Sequence, residues 1–281
     1  MAVARQEVAV AELGGRIYVA GGFRTDGSAS DTVEVYDPTT DRWEIIAPLP
    51  VPVHHAAAAA VNGVLYVIGG MTGAESRPVD RVFAYTPAGG GWTQRASMPS
   101  ARGALGVGVL GGRIYAAGGD PRERDFAVYD PVADAWTPLP PMPTPRNHLA
   151  AGAIGGRFYA VGGRSGSVGG ITGAIEEYDP ASSTWTARAT MPTARGGIGG
   201  AELGGLLYVF GGEGNRRHPL GIFDQVEAYD PVADAWRALA PMVVPRHGIG
   251  AASSGSRIYI PGGALVEGFG TVDLNQAFEP E

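Results

Sequence analysis

The sequence predicts an all-β chain folded as a six-bladed β-propeller, and three observations carry that prediction. Six Gly-Gly pairs, starting at Gly21, Gly69, Gly118, Gly162, Gly211 and Gly262, each close a short apolar run, at steps of 48, 49, 44, 49 and 51 residues. After five of them a Tyr is followed by a Trp seven positions on, as Tyr36/Trp43, Tyr85/Trp92, Tyr129/Trp136, Tyr178/Trp185 and Tyr229/Trp236, with Phe278 where a sixth Tyr would fall. Self-similarity at a period of about 50 residues marks propeller blades. The third observation is composition: 45 Gly and 22 Pro are spread along 281 residues, and the apolar runs are all short, which leaves little room for long helices or membrane spans.

One ring of six blades accounts for residues 1–281 as a single domain. Each blade divides into four antiparallel strands. In the fifth the pattern predicts Gly197–Leu203, Leu206–Phe210, Val226–Tyr229 and Trp236–Ala240. The first turn is Gly204-Gly205, echoed by Gly14-Gly15, Asn62-Gly63, Gly111-Gly112 and Gly155-Gly156, which suits a tight hairpin with positive φ. The third turn is Asp-Pro, at Asp37, Asp130 and Asp230, where Pro presets φ and the Asp carboxylate can accept from the backbone two residues on. Second strands such as Ile17–Ala20 and Leu206–Phe210 are apolar on both faces, as a strand sandwiched between neighbouring blades must be.

Charge and residue choice exclude several function classes. A net charge of −7 argues against a nucleic-acid binder, which needs a basic face. The absence of Cys removes disulfides, thiol nucleophiles and thiolate metal sites. All 21 basic residues are Arg, which fits a coding bias. Residues 1–20 show no charged start followed by an apolar core and a cleavage site, so no secretion signal is visible and the compartment is not indicated. A ring that folds by itself predicts a monomer. Gly-rich strings such as 103–112 and 196–205 precede no helix and read as first-strand residues rather than phosphate cradles.

The Gly-Gly pair, the spaced Tyr and Trp, and a Met-Pro-x-x-Arg link together resemble the Kelch repeat over essentially the whole chain. The links are Met98-Pro99-Ser100-Ala101-Arg102, Met142-Pro143-Thr144-Pro145-Arg146, Met191-Pro192-Thr193-Ala194-Arg195 and Met242-Val243-Val244-Pro245-Arg246. Met1–Arg5 aligns with the same link, and in blade two Val53 fills the Arg slot. Blade six stops three residues after Phe278, so its fourth strand is either supplied from elsewhere or missing, leaving three. The resemblance implies a Kelch-type six-bladed propeller that binds protein partners. Sugar mutarotases acting on sialic acid are similar in placing a Glu and an Arg on the long-loop face, which here would be Glu213 with Arg216 or Arg217. Copper radical oxidases of this kind need a Cys linked to a Tyr and are excluded.

Because successive strands alternate in direction, the link entering strand one and the loop between strands two and three share one face. That face carries loops of variable length, the usual seat of function on a rigid scaffold. All eleven Tyr and all five Trp fall in repeat slots and read as core. His54, His55, His148 and His247 instead follow the Arg slot of blades two, four and six, and His218 lies in the blade-five loop. Three imidazoles about 120° apart, His55, His148 and His247, could hold a divalent metal such as Zn, or could simply cap strand starts. No other cofactor is indicated. Arg5, Arg102, Arg146, Arg195 and Arg246 form a second ring, which either ties adjacent blades or makes an anion-attracting throat.

Three functions follow. The first is a binding module that docks a protein segment or acidic ligand through Arg102, Arg146, Arg164, Arg195 and Arg246 with Arg5, Asn147, His148 and His247. Residues just after Gly-Gly (Phe23, Met71, Asp120, Arg164, Glu213 and Ala264) are expected to rim that pocket. The second is a small-molecule enzyme on the same face, a sugar-acid mutarotase or isomerase, with Glu213, Arg216 and His218 moving protons and clamping charge. The third is a metal-dependent lyase or metal scaffold on the three His.

Overall fold

A computed structural model describes residues 1–280. Five blades are four-stranded meanders, beginning with Ala9–Leu13, Arg16–Ala20, Val33–Asp37 and Arg42–Ile46 in blade one. The sixth has three strands, Ala252–Ser254, Arg257–Pro261 and Asn275–Phe278. Among the described residues no helix is long and apolar enough to cross a membrane. Burial follows position in the ring. Second strands are buried except at their first residue, whereas fourth strands face solvent. First strands line the axis, where six of them converge, so small residues recur: a Cβ on Gly200 would sit 2.6 Å from the Cβ of Ala150, and one on Gly106 2.8 Å from that of Ala151.

The turn chemistry is as the sequence implies. Gly204 and Gly205 have φ of +61° and +78°, and Asp130 Oδ1 accepts from Val132 N at 2.9 Å and Ala133 N at 3.2 Å. The Tyr and Trp slots latch neighbouring blades. Tyr129 donates to Asp134 at 2.6 Å, Asp134 accepts from Ala96 N in the preceding blade at 2.9 Å, and Trp136 Nε1 donates to Ala96 O at 2.9 Å. The same Trp bond recurs from Trp92 to Ala47, Trp185 to Pro140 and Trp236 to Ala189.

Among the described residues the ring closes through backbone hydrogen bonds. The second Gly of each pair donates to the carbonyl of the next blade's Arg slot: Gly22 to Val53, Gly70 to Arg102, Gly119 to Arg146, Gly163 to Arg195, Gly212 to Arg246 and, across the seam, Gly263 to Arg5 at 2.9 Å. Nearer the axis a second circle runs Glu7 N to Gly248 O, His55 N to Glu7 O, Ala104 N to His55 O, His148 N to Ala104 O, Gly197 N to His148 O and Gly248 N to Gly197 O, at 2.7–3.0 Å. The six residues of this inner circle sit two positions after the Arg slot and share left-handed backbone, φ +51° to +65°. That accounts for one departure from the expected boundaries. The first strand of blade five starts at Gly199 rather than Gly197, because Gly197 has left the sheet to join the inner circle.

Candidate functional site

The left-handed kink divides the residues after each link into two sets. The Arg side chains turn into their own blades. Arg5, Arg102, Arg146, Arg195 and Arg246 are each 0% exposed. Arg195 donates to Gly211 O at 2.8 Å, Val209 O at 3.1 Å and the Glu227 carboxylate. Arg146 reaches Ala160 O, Ala174 O and Glu176 Oε2 at 2.8 Å, and Arg5 reaches Gly21 O, Thr32 O and Glu34 Oε2 at 2.6 Å. Arg102 bonds only carbonyls, and Arg246 bonds Gly262 O and Gln276. Each guanidinium therefore ties strands two and three of one blade; adjacent blades are joined by the main-chain carbonyl of the same residue. Fully buried and hydrogen-bonded within their own blades, these five do not line a basic throat. Burial pulls the guanidinium pKa of Arg102, Arg146 and Arg246 down to about 10. The Glu partners of Arg5, Arg146 and Arg195 stand two residues before the repeat Tyr, a signal present in the sequence at Glu34, Glu176 and Glu227.

The inner circle instead offers Glu7, His55 and His148 to the axis, at the mouth of a channel of 180 Å³ walled by first-strand Ala, Gly and Val. The Glu7 carboxylate faces His55 Nε2 at 3.4 Å and His247 Nδ1 at 4.0 Å. Glu7 is the residue sequence reasoning missed. Aligning Arg5 with the later links places it in the same slot as His55 and His148. His247, by contrast, occupies the preceding slot, that of His54 and Asn147, so the three-His set is replaced by Glu7, His55 and His148, whose ligand atoms lie within 4.8 Å of one another. His247 is 1% exposed, with Nε2 on Val266 O at 2.8 Å and Nδ1 3.4 Å from Glu213.

Beside this trio, Arg164 and Glu213 meet on the same face, Nη1 to Oε1 at 2.7 Å. Arg164 Nη2 also lies 3.0 Å from His148 Nε2. Glu213 was expected to act with Arg216 or Arg217, but it is 2% exposed and turned toward the axis, whereas Arg216 leans over Gly169 of the blade-four loop. His218 accepts from Leu220 N at 3.2 Å within its own loop. The structure thus does not gather Glu213, Arg216 and His218 into one catalytic set. Of the residues after Gly-Gly, Phe23, Arg164 and Glu213 reach the mouth, Met71 and Ala264 are buried, and Asp120 is exposed. Phe23 stacks on His54 at 3.8 Å between centroids. The blade-six loop arches over one side, pinned by Gln6 to Gly268 O at 2.7 Å and Gly270 N at 2.9 Å, and carries Phe269, 45% exposed, 6.3 Å from Phe23.

Burial at the mouth favours the neutral forms of Glu7, His54, His55 and His148. Burial pushes the Glu7 carboxyl up to about 7. It holds His54 and His55 down at about 3, with the neighbouring His55 and Arg164 charges adding to the effect respectively, and His148 well below its usual value. The signs differ. For Glu7, whose folded pKa is raised above 4.5, the stabilising protonated form is complete at low pH and is lost as pH rises toward about 7. For His55, whose folded pKa is depressed, stability is complete above 6.5 and is lost as pH falls toward about 3. Glu7→Gln, which mimics the protonated acid, is expected to raise the unfolding free energy by roughly 2–3 kcal/mol at pH 8 and by little at pH 4.5. Urea unfolding in EDTA at the two pH values checks this; equal effects at both would mean that Glu7 ionises freely.

Comparison with known proteins agrees with this architecture. A family model described as Kelch motif matches residues 4–50, 52–99, 101–143, 145–192 and 194–243. The Kelch-like protein terF of Aspergillus terreus is 33% identical over 98% of this chain, which spans 64% of that protein's length. Kelch-like ECH-associated protein 1A of Danio rerio is 34% identical over 37% of this chain, and alpha-scruin of Limulus polyphemus 34% over 36%, where the matches span 17% and 12% of those proteins. The solved structure of YjhT superposes with a TM-score of 0.82 at 17% identity, over 97% of this chain and 94% of the other, a likeness of fold.

Proposed function

Because this chain belongs to the Kelch-repeat family, whose propellers commonly serve as protein-interaction modules, we propose that it is a binding module that grips an acidic protein segment with an apolar anchor across its long-loop face. The observation that carries this reading is the apolar rim beside the mouth. Phe269 and Leu265, with Leu220 on the adjoining loop, are 39–46% exposed, and Glu267 N to Leu220 O at 2.8 Å holds the two loops together. Exposed apolar groups clustered on one functional face mark contact sites, whereas the more exposed Val132 and Val232 are single residues in the Asp-Pro turns of the opposite face.

The acidic preference rests on the groove between the loops of blades four and five. It has a volume of 480 Å³ and is lined by Arg216 and Arg217 among Ile171, Asn215 and Phe223. Two guanidiniums at a partly apolar groove suit a carboxylate, which they can meet in bidentate fashion. The five buried link arginines take no part in this reading.

Selection of displayed peptides on the intact chain tests it. Enriched peptides are expected to pair an acidic residue with an aromatic or aliphatic one, and to lose about tenfold or more in affinity, about 1.4 kcal/mol, with Phe269→Ala or Arg216→Ala. Val232→Ser is expected to leave binding unchanged. Peptides that bind the variants of both faces equally, or that respond only to Val232→Ser, would overturn the assignment.

A further inference from the structure

We propose that Glu7, His55 and His148 form a binding site for a divalent transition metal of the zinc class at the axis of the ring, with an open coordination position toward the central channel. This goes beyond peptide binding and is independent of it. The three side chains come from the same slot of blades one, two and four, fixed on a closed circle of six backbone hydrogen bonds, so the donors are preorganised by the ring itself. The left-handed backbone shared by all six residues of the circle, with φ of +54°, +57° and +51° at Glu7, His55 and His148, turns these three side chains toward the axis.

Two imidazoles and one carboxylate form a donor set that suits Zn or Fe(II). Bonds of about 2.0–2.1 Å at tetrahedral angles place ligand atoms about 3.4 Å apart. His55 Nε2 and Glu7 Oε2 already stand at 3.4 Å, and the widest separation in the trio, within 4.8 Å, closes by side-chain rotation.

The outer contacts fit as well. His148 Nδ1 is 2.5 Å from Asn147 Oδ1, and Asn147 Nδ2 in turn donates to Glu123 at 2.7 Å, so the amide oxygen faces the ring and the imidazole proton lies on Nδ1. This leaves the Nε2 lone pair of His148 for the metal. His55 is likewise held through Nδ1, 2.6 Å from His54 Nδ1, with Nε2 turned to Glu7. Hydrogen bonds at the remote nitrogen are what orient metal-binding imidazoles. One group competes: the Arg164 guanidinium donates to His148 Nε2 at 3.0 Å, and must fall back on Glu213, which it already pairs at 2.7 Å. The channel below, 180 Å³ in volume, gives a water or small ligand access to the remaining position.

The test uses the intact chain stripped with EDTA and titrated with Co²⁺, whose visible ligand-field bands report an N/O site. One equivalent is expected to bind, with loss of the bands in His148→Ala and in Glu7→Gln and retention in His218→Ala. Arg164→Met, which removes the competing donor, is expected to tighten Co²⁺ binding several-fold, a response that a merely structural His148 would not give. In the wild-type protein, one equivalent of Zn²⁺ is expected to shift the imidazole NMR signals of His55 and His148 and leave those of His218 in place, a readout that does not depend on any variant folding. Absence of a stoichiometric site in the wild-type protein, or bands that survive both Glu7→Gln and His148→Ala, would overturn the proposal.

Discussion

Arg195→Met is expected to destabilise the protein by about 3–5 kcal/mol, because it leaves a buried carboxylate without its cation. Glu227 is 3% exposed, and without Arg195 its one other side-chain partner is Thr193 Oγ1 at 2.9 Å. The carbonyl of Gly211 loses the guanidinium as its donor at the same time, and that of Val209 keeps only its bond within the sheet. Replacing both charges, as Arg195→Met with Glu227→Met, is expected to recover much of the loss, since an apolar pair of similar volume removes the desolvation cost as well as the attraction. Chain positions in this protein already make that exchange: blade two has Val53 in the Arg slot and Phe83 where the Glu would stand. Chemical unfolding of the single and double variants measures the difference. A single variant that loses less than about 1 kcal/mol, the scale of an exposed ion pair, would mean that the guanidinium is not structural and would return the link arginines to the ligand site.

Gly262→Ala is expected to cost about 3–4 kcal/mol, the sum of left-handed strain and overpacking at the seam of the ring. Gly262 has φ of +67°, and an added Cβ would lie 2.6 Å from the carbonyl oxygen of Arg5. That oxygen accepts the Gly263 N–H that closes blade six on blade one, so neither partner can withdraw without opening the seam. Gly255→Ala in the same blade is the control. Its φ is +61° and nothing lies within 4 Å of the new methyl group, so only the conformational strain of about 1 kcal/mol is expected. Thermal and urea unfolding of the two variants separate seam packing from backbone preference. Equal losses would show that the seam is not tightly packed.

Much of the architecture was legible because each blade repeats the same local solution. Gly-Gly marks the end of the second strand, Asp-Pro marks an Asx turn, and the doubly apolar second strand marks the layer between blades; all three are read from residues near one another in sequence. The expectation that Tyr and Trp serve packing follows in the same way, since their slots recur in every complete blade. Where the reading departed from the structure, long-range geometry was responsible. Arg5 to Arg246 and the residues that follow them lie within a few positions of one another, and only the left-handed backbone at Glu7, His55, Ala104, His148, Gly197 and Gly248 turns the first group into the blade and the second toward the axis. His247 reads as a partner of His55 and His148 until register is counted from the Arg, and Arg216 reads as a partner of Glu213 until the loop is seen to carry it away.

The sequence by itself determined the number of blades, the four-stranded meander and tight turns of the complete blades, the face that bears the variable loops, and the exclusion of thiol chemistry, because these follow from periodicity, turn preference and composition. Only the tertiary structure decided that the link arginines are buried struts, that Glu7 joins His55 and His148, and that Arg164 rather than Arg216 pairs with Glu213. Those outcomes depend on distances across a closed ring. His55 and His148 are 93 residues apart in the chain, yet their rings lie 5.0 Å apart, a separation set by how six blades close on one axis.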